Sequence, residues 1–168
     1  GIDISHWQGK FDWSAAKSEG IRFAVIKGGG GDGGLYTDSA FRRNYESAKA
    51  LGIPVGAYFY CGAKTVRRAR EEADYFADNI LDGRQFELPV YAEDSGMLAL
   101  GPRALTDIAH TFCSRLEERG YFVGIYSSLS YFSSRMYDDE LKRFTHWVAQ
   151  WADRCTYPDE NCLGIWQN

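Results

Sequence analysis

The chain has 168 residues and a net charge of −4, from 19 basic and 23 acidic residues; 45% of it is hydrophobic and 25% charged. That length and balance describe one domain, residues 1–168, with a single core large enough to fold without metal or disulfide. The acidic balance argues against non-specific binding to nucleic acid or to anionic membranes. Its longest apolar runs, such as Phe23-Ala24-Val25-Ile26, are far too short to be inserted across a bilayer.

The start, Gly1-Ile2-Asp3, runs directly into strand-like sequence, so the chain reads as a processed form or as one whose export signal lies outside it. Residues 1–5 predict a strand and 12–20 a short helix, with Asp12 as N-cap and Gly20 as its stop. Residues 21–27 predict a buried strand, followed by a glycine-rich stretch, 28–34, that reads as a mobile loop at the rim. Thr37 or Asp38 is placed to cap a helix carrying Phe41, Tyr45, Ala48 and Leu51 near the 3.6 period and ending at Gly52. A strand at 53–60, a long helix at 65–81 and a strand at 87–93 follow. The second half predicts a helix at 102–120 with Pro102 in its first turn, a strand at 121–126 and irregular helix at 129–144. Strands at 146–151 and 163–167 complete it. Seven strands alternating with helices through short connections imply parallel pairing and right-handed crossovers, in an open doubly wound sheet or a (β/α) barrel. A barrel at this length would be abbreviated.

In such folds the site lies at the carboxyl ends of the strands. Those ends gather Asp3, Tyr58, Tyr60, Tyr91, Glu93, Tyr126, Gln150, Trp151 and Trp166. Carboxylates among aromatic rings and amides are the inventory of a sugar-binding cleft with an acid in it. Asp3 also has a purely structural reading, as a hydrogen-bond acceptor, and strand-end tyrosines and tryptophans often serve as packing. No Ser-His-Asp or Cys-His set assembles, and no Cys/His spacing fits a zinc site, so neither metal nor cofactor is expected. Lys27 precedes the glycines instead of following them, which excludes a P-loop. His6, His110 and His146 read as surface or packed histidines, and Cys61 and Cys113 as buried thiols. Cys155 and Cys162 bracket a polar loop and could bridge if the compartment is oxidising, which the sequence leaves open.

The segment Gly1-Ile2-Asp3-Ile4-Ser5-His6-Trp7-Gln8-Gly9 resembles the opening of the family 25 glycoside hydrolases, the Chalaropsis-type lysozymes. The resemblance continues in order through Lys27, Gly56-Ala57-Tyr58-Phe59-Tyr60, Leu88-Pro89-Val90-Tyr91, Glu93-Asp94, Gly124-Ile125-Tyr126-Ser127, Trp147-Val148-Ala149-Gln150-Trp151 and Ile165-Trp166-Gln167. It implies an α/β fold, an abbreviated, irregular (β/α) TIM-like barrel of parallel strands. It also implies a secreted, bacteriolytic peptidoglycan hydrolase, cleaving the β-1,4 bond between N-acetylmuramic acid and N-acetylglucosamine. Glu93 matches the family's acid and Asp3 its strand-one aspartate. A monomer acting on bacterial peptidoglycan strands, outside the cell or at its wall, is expected.

Two departures stand out. The family pattern Pro-Val-Tyr-x-Asp-x-Glu-Asp is two residues longer than Pro89-Val90-Tyr91-Ala92-Glu93-Asp94, and its partner aspartate is missing. A rival alignment puts Glu93 at the aspartate position and Ser95 at the acid, but it breaks the match at Met97-Leu98. The chain also stops at Asn168, short of a further turn and strand that carry another site aspartate in relatives. A glycan-binding protein with crippled catalysis on the same scaffold is the alternative.

Overall fold

The computed structural model describes residues 1–94 and 100–168, with Glu93 and Asp94 described by backbone alone. Ser95, Met97 and Leu98, which distinguish the two alignments, lie outside the described residues. In chain order the elements are β1 (Ile2–Ile4), α1 (Trp13–Ser18), β2 (Ala24–Gly30), β3 (Tyr36–Thr37), α2 (Phe41–Ala50), β4 (Val55–Cys61) and α3 (Val66–Tyr75). Then come β5 (Val90–Asp94), α4 (Pro102–Glu118), β6 (Val123–Ser128), α5 (Leu129–Ser134), β7 (Thr145–Ala149) and β8 (Leu163–Gln167).

Local chemistry sets the helix ends. Asp12 accepts the Ala15 N–H at 2.9 Å to start α1, and Thr65 accepts the Arg68 N–H at 3.2 Å to start α3. Pro102 opens α4, where its missing N–H costs nothing. Asp38 caps the turn leading into α2, accepting from Ala40 N–H at 2.9 Å.

Among the described residues the sheet runs β1-β2-β4-β5-β6-β7-β8, every neighbouring pair parallel, with β3 antiparallel on β2. It curls like a barrel, but β1 and β8 are not paired to each other in this ladder. Alternation sorts the strand residues. Ala24, Ile26, Val55, Ala57, Phe59, Val90, Ala92, Val123, Ile125 and Val148 bury against the helices, where Phe59, Phe76 and Phe112 pack with centroids 5.2–6.3 Å apart. Val25, Tyr91 and Trp147 bury on the opposite, inner face together with Phe23, Tyr58, Leu88, Tyr126 and Ile165.

Two expectations change, and the pairing left open for Cys155 and Cys162 is answered. The glycine stretch is not a mobile loop up to Gly31: Gly28–Gly30 finish β2 and all four glycines 28–31 are buried. A Cβ on Gly28 would meet Phe76 and Ile80, one on Gly29 the Tyr36 carbonyl, and one on Gly30 the Tyr36 ring. Glycine is here a packing requirement, and the turn itself is confined to Asp32-Gly33-Gly34 before β3, the strand missed in the sequence. The helix expected at 65–81 changes pitch, α-helical to Tyr75 and π-helical over Phe76–Leu81. Cys155 and Cys162 are free thiols; Cys162 is buried with its Sγ 3.6 Å from the Tyr157 hydroxyl. Cys61 and Cys113 are buried thiols, their pKa pushed up by burial.

Candidate active site

The inner face of the sheet is filled by Val25, Tyr91 and Trp147, with the partly buried Phe23 and Ile165 packed against them. Tyr91 is 1% exposed, its ring 5.3 Å from Trp147, and burial raises its phenol pKa above the usual range. It sits in the floor rather than on a wall, and Gly124 makes room for it: a Cβ there would lie 2.5 Å from the Tyr91 ring. Trp147 is also ringed by Tyr126 at 4.5 Å and Tyr58 at 6.2 Å. The half-buried Tyr58 is in register with Tyr91, and Tyr126 with Trp147, so both pack against this aromatic cluster from neighbouring strands.

Three positions frame the candidate mouth. The first is position 93. The β5 backbone pairs without a register break, Ala57 with Val90 through Cys61 with Asp94, and Glu93 is set between Tyr60 and Tyr126. The two-residue departure from the family pattern therefore leaves a regular ladder. The second is Asp3 on the edge strand β1. Its Oδ1 accepts from Gln167 Nε2 at 2.8 Å, and Gln167 Oε1 accepts from the Tyr126 hydroxyl at 2.8 Å. An ionised carboxylate can only accept, so the Gln167 NH2 faces Asp3 and its carbonyl oxygen faces Tyr126, which fixes the amide's orientation. This bridge joins the two edge strands that the ladder leaves apart, and it leaves Asp3 Oδ2 without a protein partner among the described residues.

The third is Lys27, half-buried on β2. Its Nζ lies 4.9 Å from the Tyr60 ring centre and 6.0 Å from those of Tyr36 and Tyr58. Ring faces at these distances attract the ammonium, from roughly 0.5 kcal/mol at an exposed site to about 2 kcal/mol at a desolvated one. Beside them, the seam between β1 and β8 holds a cavity of about 320 Å³ whose lining takes in Gly1, Phe23 and Val25 as well as Asp3, Trp147 and Gln167. The indole N–H of Trp147 is buried there without a partner among the described residues.

The remaining sequence candidates are spread around this mouth. Trp166 is half-buried in the seam, its Nε1 donating to Gln150 O at 2.9 Å. The Gln150 side chain is turned to Thr156, donating to its hydroxyl and accepting its N–H, both at 2.8 Å. Trp151 projects outward, 90% exposed. Reading strand ends did not single out Lys27 or Gln167 as site residues. Lys27 was legible as a lone cation in a buried strand; Gln167 depends on β8 meeting β1 across 164 positions, which no local pattern carries. Among the described residues no helix is long and apolar enough to cross a membrane, and no three His, Cys, Asp or Glu residues gather as a metal site.

Comparison with known proteins agrees with the fold. Lysozyme M1 of Streptomyces globisporus is 44% identical over 79 residues, 47% of this chain and 26% of that protein. The autolytic lysozyme of Clostridium acetobutylicum is 26% identical over 152 residues, covering 90% of this chain and 45% of its own. The chain thus spans less than half the length of these curated relatives. The crystal structure of the bacterial lysozyme from Streptomyces coelicolor superposes with a TM-score of 0.79 at 29% identity, over 99% of this chain and 82% of that one. The family model for glycosyl hydrolases family 25 matches residues 2–168. With a curled parallel sheet and a family match over all but its first residue, the chain belongs to the glycosyl hydrolases of family 25.

Proposed function

We propose that the chain is a peptidoglycan hydrolase, a muramidase that breaks the β-1,4 bond between N-acetylmuramic acid and N-acetylglucosamine. The observation that supports it most is the convergence of Asp3, Lys27, Tyr60, Tyr126 and position 93 at one mouth in a family 25 chain. Glu93 is the general acid: it gives its proton to the glycosidic oxygen as the bond to the muramic anomeric carbon breaks, a contribution of about 10²–10⁴-fold. The cation that develops on the ring is stabilised by Asp3, whose free oxygen is aimed by the Gln167–Tyr126 bridge. Tyr91 occupies the position two before the acid, so no carboxylate from that place assists; the substrate's acetamido oxygen attacks the anomeric carbon from within, and water then opens the ring it forms. Lys27 offers an ammonium to the lactyl group that distinguishes muramic acid from glucosamine, whether it is a carboxylate or an amide carbonyl.

The test is release of reducing ends from purified peptidoglycan by the wild type and by Glu93→Gln. Cleavage by the wild type alone supports the assignment; a fully active Glu93→Gln protein overturns it. No cleavage by either, with glycan still bound, overturns the hydrolase reading.

A further inference from the structure

Below the wall that carries Lys27, Tyr36 and Tyr60 lies a carboxylate outside the cleft. Glu72 on α3 is 0% exposed. Its Oε2 accepts the Gly62 N–H at 3.0 Å and its Oε1 the Arg68 Nε–H at 3.1 Å. A Cβ on Gly31 would overlap the carboxyl group itself, so the carboxylate rests directly on that backbone. Gly31 N–H in turn donates to Tyr60 O at 2.9 Å, and a Cβ on Gly62 would meet Asp32 N at 2.6 Å. The ends of β2 and β4 and the flank of α3 therefore meet on one side chain. We infer that Glu72 is a positioning residue for substrate: it sets the spacing of the β2 and β4 ends, and through them the Lys27–Tyr36–Tyr60 wall.

A buried carboxylate with one half-exposed arginine is an expensive way to gain stability, since an apolar residue of similar size often does as well. Burial raises the Glu72 pKa against the opposing Cys61 thiol, Gly62 N–H and Arg68. What an apolar side chain cannot do is accept the Gly62 N–H and hold Arg68, whose Nη2 also reaches Gly31 O at 3.5 Å. The glycines at 31 and 62 fit the same reading, because each is small where the other segments touch. Neither has a positive φ, so backbone freedom does not explain them.

The proposal rests on the peptidoglycan reading for its ligand and on the packing for its geometry. Wild type, Glu72→Gln, Gly31→Ala and Arg68→Gln are compared on soluble, uncross-linked peptidoglycan strands for KM, kcat and Tm. Glu72→Gln keeps one acceptor and loses the charge; Gly31→Ala pushes the carboxylate from the other side; Arg68→Gln is half-exposed and keeps the proposal testable if the first two fail to fold. The expected result is KM raised about tenfold with kcat within about twofold. A merely structural role lowers Tm and active fraction with KM unchanged, and that pattern, or no change at all, overturns the inference. If the wild type binds these strands without cleaving them, the hydrolase reading fails and the same comparison is made on Kd by calorimetry. A wild type that neither binds nor cleaves refutes both.

Discussion

Replacing Gln167 isolates the bridge that ties β8 to β1. Gln167→Leu removes a hydrogen bond to the Asp3 carboxylate and another from Tyr126, both 2.8 Å in the native protein. A bond to a charged group is worth about 1.5–3 kcal/mol when buried and a neutral one about 1 kcal/mol. The Asp3 end is solvent-exposed, so its share is much smaller, and the total is about 1–2 kcal/mol. For a chain of this size that lowers Tm by about 2–8 °C. The larger effect falls on catalysis: Asp3 is freed to rotate, and misplacement of about 1 Å costs on the order of 10²-fold. Gln167→Glu separates the two effects, since it still accepts from Tyr126 but sets a second carboxylate against Asp3, a repulsion that one shared proton relieves. Thermal melts and initial rates on peptidoglycan, measured on both variants, give the answer. If Gln167→Leu melts lower but cleaves at the wild-type rate, Asp3 is a structural acceptor and the proposed charge stabilisation is wrong.

Further outcomes follow from the packing. Gly124→Ala places a methyl 2.5 Å from the Tyr91 ring and 2.6 Å from Thr145 O, and is expected to destabilise by about 1–3 kcal/mol in a denaturant melt. Thiol titration should find four free thiols in the unfolded chain; in the native protein the buried Cys61 and Cys113 should stay unreactive. Buried His146, faced by Tyr157, Asp138, Cys162, Asp159 and Lys142, has its pKa lowered chiefly by desolvation, which Asp138 opposes. The unfolded chain then binds the extra proton first. Stability from this group is therefore full above about pH 6.5 and declines as pH falls below it. Urea unfolding at pH 7.5 and 5.5 should show that loss in the wild type and a smaller one in His146→Gln.

Much of the scaffold is legible along the chain because it is locally encoded. Asp12, Thr65 and Pro102 start the helices expected of them, and β8 spans the residues that apolar, β-branched runs mark out. The glycine stretch misleads because local propensity reports what glycine allows; Phe76, Ile80 and Glu72, far along the chain, decide what it does. Tyr91 misleads for a related reason. A strand-end tyrosine can wall a cleft or fill its floor, and the choice depends on Gly124 leaving space opposite. The Asp3–Gln167–Tyr126 bridge and the cation–tyrosine cluster are products of strand order, and a one-dimensional pattern holds no trace of which strands lie side by side. The motif residues themselves point to the right family because the family model spans nearly the whole chain.

If Glu93 is the acid that breaks the bond on the reducing side of N-acetylmuramic acid, the new ends carry muramic acid. Products from purified peptidoglycan, reduced with borohydride and identified by mass spectrometry, should then show muramitol at the new ends in the wild-type digest and none in the Glu93→Gln digest. Glucosaminitol ends, or muramitol in both digests, would refute Glu93 as the acid of a muramidase.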